Sequence, residues 1–180
     1  IDASSTVETK ADRTQLPFPT EFPKLNLPDI QRARLSNGLE VVLAERHDVP
    51  MINFSLQMKN GHAVDPDDQP GLASVTMSML TEGTKSYDAL KLSERLEELG
   101  TDLYTSTELD VSNINLSTLK SNLKPSLQVF CEVIMEPVFD QDEIDRKKLR
   151  WLARIDQSLS DPNGIVGYVL PEIIFGQGHP

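Results

Sequence analysis

Strand-like segments joined by short turns constrain the fold of this chain more than any other feature. Residues 31–47 predict a hairpin around Asn37-Gly38, the favoured type I′ turn pair. Residues 51–59 follow with apolar side chains at every second position, which indicates a strand with one buried face. Because strands joined by a few residues pair antiparallel, this part of the chain is expected to form an antiparallel or mixed sheet.

The remaining elements are predicted from apolar spacing and from turn residues. They are, in order, helices at 71–83 and 86–100, strands at 101–109 and 111–119, and helices at 121–136, 139–161 and 165–175. Ser86 is expected to cap the second helix, and Asp140 or Asp142 the fourth. Strands and helices are grouped rather than alternating. The predicted fold class is therefore α+β, with helices packed on one face of the sheet.

Charge and hydropathy exclude two classes of partner. The chain has 28 acidic and 17 basic residues and a net charge of −11, and because phosphate binding depends on Lys and Arg, no nucleic-acid partner is expected. No apolar run reaches the roughly 18 residues of a membrane span. The single cysteine, Cys131, allows no internal disulfide and is expected as a small core residue of its helix.

Residues 1–30 are predicted to form a Pro-rich linker or arm. Their first half is polar, and four prolines follow with apolar residues between them, a spacing that disfavours helix and central strand. An interdomain connector and a disordered leader both fit this composition. The folded domain is expected over residues 31–180.

The stretch 71–84 has the frame of a metal-binding helix without its ligands. It reads Gly-Leu-Ala-Ser-Val-Thr-Met-Ser-Met-Leu-Thr-Glu-Gly-Thr. Taken alone, it fits any buried helix with small residues and methionines. Its frame resembles the metal helix of the insulinase/pitrilysin-like zinc peptidases, where His-x-x-Glu-His stands between Gly-Leu-Ala and Met-Leu…Gly-Thr. Here Ser74 and Ser78 hold the two His positions, and Met77 holds the Glu position.

Other pieces of the same resemblance follow in order along residues 30–180. They are Leu35-Ser-Asn-Gly-Leu39, the Gly61 region, Leu99-Gly100, Pro137 with Phe139, the charged helix from Asp142, and Asp161-Pro162. The superfamily includes mitochondrial processing peptidase. The resemblance implies that residues 31–180 form the first α/β subdomain of an inactive peptidase half, a LuxS/processing-peptidase-like subdomain truncated at its C-terminus.

The resemblance also implies that the third zinc ligand is lost. In the family it is a Glu on a later helix, whose position falls on Arg154, and a supporting Glu about two turns earlier falls on Lys147. Zinc binds imidazole, thiolate or carboxylate groups, which none of these positions supplies. We therefore expect no metal, no cofactor and no catalytic residue in this chain.

The implied function is that of a catalytically silent part of a zinc peptidase. It would form the wall of a closed peptide chamber and pair with a homologous half, in the same chain or a separate subunit, which alone carries zinc. The alternative is an assembly or binding module unrelated to proteolysis, like the peptidase-like core subunits of respiratory complexes. A third hypothesis, Ser74 as a nucleophile, lacks a His base at any readable spacing. The compartment is left open, although exported bacterial relatives favour the periplasm.

Overall fold

The computed structural model describes residue 24 and residues 27–176, so most of the predicted arm lies outside the described residues. The contacts divide the chain into two compact units, residues 1–48 and residues 49–180.

The first unit contains an antiparallel hairpin of β1 (Ile30–Arg34) and β2 (Glu40–Ala44), as predicted. The predicted type I′ turn is wrong. That turn needs two left-handed residues, but no described residue other than glycine has a positive φ, and only Gly38 in this turn does, at 90°. The Gly38 N–H donates to Leu35 O at 2.9 Å, and Asn37 Oδ1 accepts a hydrogen bond from Leu39 N–H at 3.1 Å. The asparagine therefore acts through its side chain.

The second unit contains a three-stranded antiparallel sheet in the order β3-β5-β4. The strands are β3 (Met51–Met58), β4 (Asp102–Thr107) and β5 (Ser112–Leu119). Both outer strands pair with β5, and Met51 lies opposite Leu119 and Asp102 opposite Ser117. No other described strand pairs with the outer edge of β4.

The described residues contain five α-helices, two before β4 and three after β5. They are α1 (Leu72–Met79), α2 (Ala89–Glu98), α3 (Leu123–Met135), α4 (Gln141–Leu159) and α5 (Pro162–Phe175), with short 3-10 turns at His62–Val64 and Lys120–Asn122. This order confirms the α+β fold class.

Aspartate side chains cap three of these helices: Asp88 caps α2, Asp140 caps α4 and Asp161 caps α5. Asp140 caps α4, as one of the two predicted candidates, and accepts from the first backbone N–H groups of the helix. Asp88 caps α2, where its carboxylate accepts from Lys91 N–H at 2.8 Å. The predicted cap at Ser86 is therefore wrong, because the helix begins later and the Ser86 N–H is bound instead by Glu132, at 3.0 Å.

The core lies where one face of β5 meets α2 and α3. Ile114 and Leu116 of β5 are buried and belong to one apolar cluster with Leu92 of α2 and Val133 of α3. Burying a side chain of this size stabilises the fold by about 1.5–3 kcal/mol. This packing agrees with the predicted placement of helices on one face of the sheet.

Three buried hydroxyl groups connect the layers beside this core. The side-chain oxygens of Thr101, Thr118 and Ser126 lie 2.7–2.9 Å from one another, and Ser126 also donates to Asn122 O at 2.8 Å. Because each hydroxyl has a partner, the cluster adds polar contacts to the apolar core without leaving a donor unsatisfied.

The predicted burial of Cys131 is wrong. Cys131 is exposed, because the face of α3 that meets the sheet is formed by Ser126, Val129, Phe130 and Val133. On α4 the apolar residues Leu149, Leu152 and Ile155 are exposed, and large apolar side chains of α5 are exposed as well. None of the described helices is long and apolar enough to cross a membrane.

Candidate functional site

Helix α1 begins at a left-handed glycine that a remote aspartate supports. Gly71 has φ of 88° and has no side-chain cap of its own. The Asp65 carboxylate instead accepts from Gly71 N–H at 2.8 Å and Ala73 N–H at 2.9 Å. These bonds satisfy two of the donors that every helix start leaves unpaired. The acidic loop before α1 therefore positions the helix.

The three degenerate positions of this helix are partly or fully buried. Ser74 and Ser78 are half-buried and lie one turn apart on one side of α1. Met77 is buried, and its carbonyl oxygen accepts from the Thr105 hydroxyl of β4 at 2.8 Å. The Ser78 hydroxyl donates to Val75 O at 2.8 Å, within the helix. The serine side chain is thus turned towards its own backbone.

Lys147 of α4 lies against the C-terminal end of α1. Its ammonium group is 2.5 Å from Ser78 O and 2.8 Å from Glu82 Oε1. The Lys147 and Glu82 side chains are 17% and 16% exposed, so the pair is largely removed from water. Ser78 O is among the last carbonyls of α1, which lack partners within the helix, and a cation there also interacts favourably with the helix dipole.

A second cation completes this contact from the same helix. Arg146 lies 3.5 Å from Glu82 Oε2 and also pairs with Glu143 in its own helix. Glu82 therefore connects two consecutive cations of α4 to the end of α1. Glu82 belongs to the Glu-Gly-Thr end of the family-like frame, but its pairing is visible only in three dimensions.

Glu132 of α3 holds the turn that follows. Its carboxylate accepts from the Thr84 hydroxyl at 2.8 Å and from Ser86 N–H at 3.0 Å. Hydrogen bonding from Ser86, followed by that from Thr84, lowers the pKa of Glu132 in spite of the opposing effect of desolvation. The turn between α1 and α2 is therefore fixed to α3.

Of the two basic positions in α4, the structure brings only Lys147 to α1. Arg154 is exposed, and its side chain forms no hydrogen bond or ion pair with any described residue. Within residue 24 and residues 27–176, no three His, Cys, Asp or Glu side chains lie close enough together to hold a metal ion. His47 contacts Glu45 in the first unit and His62 lies in a 3-10 turn.

The groups present at the degenerate positions do not suit zinc. Serine hydroxyls and a thioether are weak ligands beside imidazole, thiolate or carboxylate. The Ser78 hydroxyl is already bonded to a carbonyl, and the Lys147 ammonium lies beside the same residue. A cation at that place raises the electrostatic cost of bringing in a second one. The absence of a zinc site remains a prediction that this chemistry supports.

Sequence reasoning did not find Asp65, Glu82 or Glu132 as supports of the site. Asp65 lies six residues before the helix start that it binds, outside the usual capping distance. The Glu82 and Glu132 contacts join residues far apart in the chain. No local signal pairs them: Glu82 lies three residues beyond the end of α1, so helical spacing does not relate it to Ser78.

Known proteins similar to this chain include both zinc proteases and non-peptidases. The non-peptidase homolog YmxG of Helicobacter pylori is 27% identical over 135 residues, covering 75% of this chain and 31% of that protein. The probable zinc protease PqqL of Escherichia coli is 28% identical over 123 residues, covering 64% of this chain and 13% of that protein. This chain thus spans a third or less of the length of these relatives.

A solved structure with the same fold is the inactive domain of a peptidase M16 from Pseudomonas fluorescens. It superposes with a TM-score of 0.75 at 27% identity, over 80% of this chain and 35% of that one. Residues 40–179 match the family described as insulinase, peptidase family M16, which is most of the chain. The predicted resemblance is confirmed: this chain belongs to the insulinase family, peptidase family M16.

Proposed function

We propose that this chain is a catalytically silent domain of an M16 peptidase, which helps to enclose peptide substrate and pairs with a homologous zinc-bearing half. The observation that carries the proposal is the Lys147 contact with Ser78 and Glu82. In the family frame these residues lie at or beside the metal positions. Lys147, bonded at these positions, connects α1 to α4 without a metal ion. In a zinc enzyme the metal ion would make this connection.

The open edge of β4 supports a role in holding peptide. Only β5 pairs with β4 among the described strands, so the outer backbone groups of Asp102–Thr107 have no strand partner there. An extended peptide can add to such an edge through backbone hydrogen bonds, with side chains setting preference. Tyr104 is exposed in this strand and offers an aromatic surface to a bound peptide. The strand also contacts α1 through Thr105.

The exposed apolar surface of α5 supports pairing with another protein surface. Its 14 residues are mostly apolar, and a helix that is apolar all round is normally buried. Its large exposed side chains are Ile165, Val166, Tyr168, Val169, Leu170, Ile173, Ile174 and Phe175. Contiguous apolar patches on this scale mark interaction sites.

Restoring the metal positions tests whether Lys147 has replaced the metal. We expect the single variant Ser78→His to bind no zinc, and the fourfold variant with Ser74→His, Met77→Glu, Ser78→His and Arg154→Glu to bind it weakly while Lys147 remains. Adding Lys147→Glu should strengthen zinc binding at least about tenfold, because it removes a cation beside the metal. Calorimetric titration with zinc chloride measures this. Equal affinity of the fourfold and fivefold variants would contradict the proposal.

The peptide-holding role is tested in the whole parent protein with a fluorogenic peptide. We expect Tyr104→Ala to raise KM with unchanged zinc content. The control Met135→Ala alters an exposed apolar residue of α3 and should leave KM unchanged. A parent protein that cleaves no peptide, or equal KM values for both variants, would contradict this role.

The name of the Helicobacter relative favours a second candidate, an assembly module unrelated to proteolysis. The same α5 surface would then serve the assembly. In that case the whole parent protein would contain no zinc and cleave no peptide, which separates the two candidates.

A further inference from the structure

An open cavity of about 740 Å³ lies between the end of α1, the start of α2 and the first half of α4. The α2 side contributes Ala89 and the highly exposed Leu90, together with the polar residues Asp88 and Ser93. The opposite side carries the guanidinium groups of Arg146 and Arg150, which lie four residues apart and therefore on one side of α4. The proposed chamber and pairing roles make no use of this cavity.

The acidic groups that line the cavity are already paired. Asp88 pairs with Lys91 at 2.9 Å, and hydrogen bonding from the Lys91 side chain lowers the pKa of Asp88. Glu82 pairs with Lys147 at 2.8 Å.

The third acidic group, Glu143, pairs with Arg146. Arg150 differs from all of these, because no described residue forms an ion pair or hydrogen bond with its side chain. Among the described residues, the cavity thus has one guanidinium group without a paired counter-charge, in a chain with a net charge of −11.

We propose that this cavity binds a carboxylate of an acidic peptide, with Arg150 taking the carboxylate and Leu90 contacting an apolar neighbour in the same peptide. A guanidinium group presents paired N–H donors that match the two oxygens of a carboxylate. A single surplus positive charge matches the charge of one carboxylate better than that of a doubly charged phosphate. The Ser93 hydroxyl lines the same cavity and offers a neutral hydrogen-bonding group to the peptide.

Titration of the 180-residue chain with acetyl-Leu-Asp-amide, followed by the backbone amide NMR signals of the protein, tests the proposal. The matched peptide acetyl-Leu-Asn-amide has the same shape without the charge. We expect binding of the Asp peptide with a dissociation constant of about 1 mM and shifts confined to α2 and α4. The Asn peptide should bind at least about tenfold more weakly, because a charge-assisted hydrogen bond is lost.

Variants then assign the binding to Arg150. Arg150→Gln should weaken binding of the Asp peptide at least about tenfold. Arg150→Lys should give an intermediate loss of affinity, because lysine keeps the charge but not the paired donors. The control Lys148→Gln removes the same charge from an exposed neighbour that does not line the cavity. It should change the affinity less than about twofold.

Several outcomes would overturn the proposal. One is no binding of the Asp peptide up to about 10 mM. Another is an equal loss of affinity for the Asp peptide in Arg150→Gln and Lys148→Gln, which would indicate nonspecific electrostatic attraction. A third is tighter binding of inorganic phosphate than of the Asp peptide, which would assign the cavity to another class of ligand. If Arg150→Gln unfolds the chain, the comparison of the two peptides and the Arg150→Lys variant still decide the question.

Discussion

Replacing Lys147 with methionine is expected to destabilise the second unit by about 2 kcal/mol. The change removes the bonds to Ser78 O and to Glu82 and leaves the Glu82 carboxylate with Arg146 at 3.5 Å. Breaking a fully buried pair costs about 3–5 kcal/mol, whereas an exposed pair contributes about 0–1 kcal/mol. Since the two side chains are 17% and 16% exposed, the expected cost lies between these limits.

A double-mutant cycle isolates the pair itself. Glu82→Gln should cost about 1 kcal/mol, because Lys147 keeps its bond to the Ser78 carbonyl. The double variant should cost less than the sum of the two single variants by about 1–2 kcal/mol, because the second change no longer leaves a buried charge unpaired. Urea unfolding followed by the fluorescence of Trp151, the single tryptophan and a residue of α4, measures these free energies.

Lys148→Met is the matched control, because Lys148 is an exposed neighbour in the same helix. It should change the free energy of unfolding by less than about 0.5 kcal/mol. A loss in Lys147→Met no larger than in this control, or a coupling energy near zero, would refute the view that Lys147 connects α1 to α4.

Three further changes test the supports of the site. Asp65→Ala should cost about 1–2 kcal/mol in urea unfolding, because the start of α1 loses two acceptor contacts, whereas Asp67→Ala in the same loop should be nearly neutral. Gly61→Ala should cost more than about 2 kcal/mol, since a Cβ atom there would lie 2.1 Å from Glu108 O, while Gly167→Ala meets nothing within 4 Å and should be neutral or stabilising. The lowered pKa of Glu132 means that its stabilising contribution is present above its unfolded pKa and is lost as pH falls through the folded value. Between neutral pH and that acidic range, the free energy of unfolding should therefore fall more for the wild-type protein than for Glu132→Gln. Equal losses would contradict this.

The strands could be predicted from sequence because their signals are local. The alternation of residues 51–59 and the Asn37-Gly38 turn led to the correct strands and hairpin. The turn type could not be predicted in the same way. Asn37 closes the turn with its side-chain oxygen. Asparagine is compatible both with this arrangement and with the left-handed backbone of a type I′ turn, so the sequence does not decide between them.

Helix starts and buried faces were less predictable because they depend on tertiary contacts. Ser86 has the right chemistry for a cap, but Glu132 binds its backbone and α2 begins after Asp88. Cys131 lies among apolar residues in sequence, yet the face of α3 that meets the sheet excludes it. Spacing along one helix does not reveal which side the neighbouring sheet will cover.

The candidate site was only partly predictable, because its ion pairs also depend on tertiary contacts. The position of Lys147 came from the family frame, and the structure places this residue beside Ser78. Its counter-charge, Glu82, depends on how α4 crosses the end of α1 and has no sequence signature. Arg154 came from the same spacing, but it forms no contact with α1 among the described hydrogen bonds and ion pairs.

Zinc content tests the central claim most directly. The pure 180-residue chain is dialysed against zinc chloride, then against metal-free buffer, and its metal is measured by mass spectrometry. We predict no retained zinc above the level of the Ser74→Ala/Ser78→Ala variant and no hydrolysis of a fluorogenic peptide. One zinc ion retained per chain and lost in that variant would contradict a catalytically silent domain.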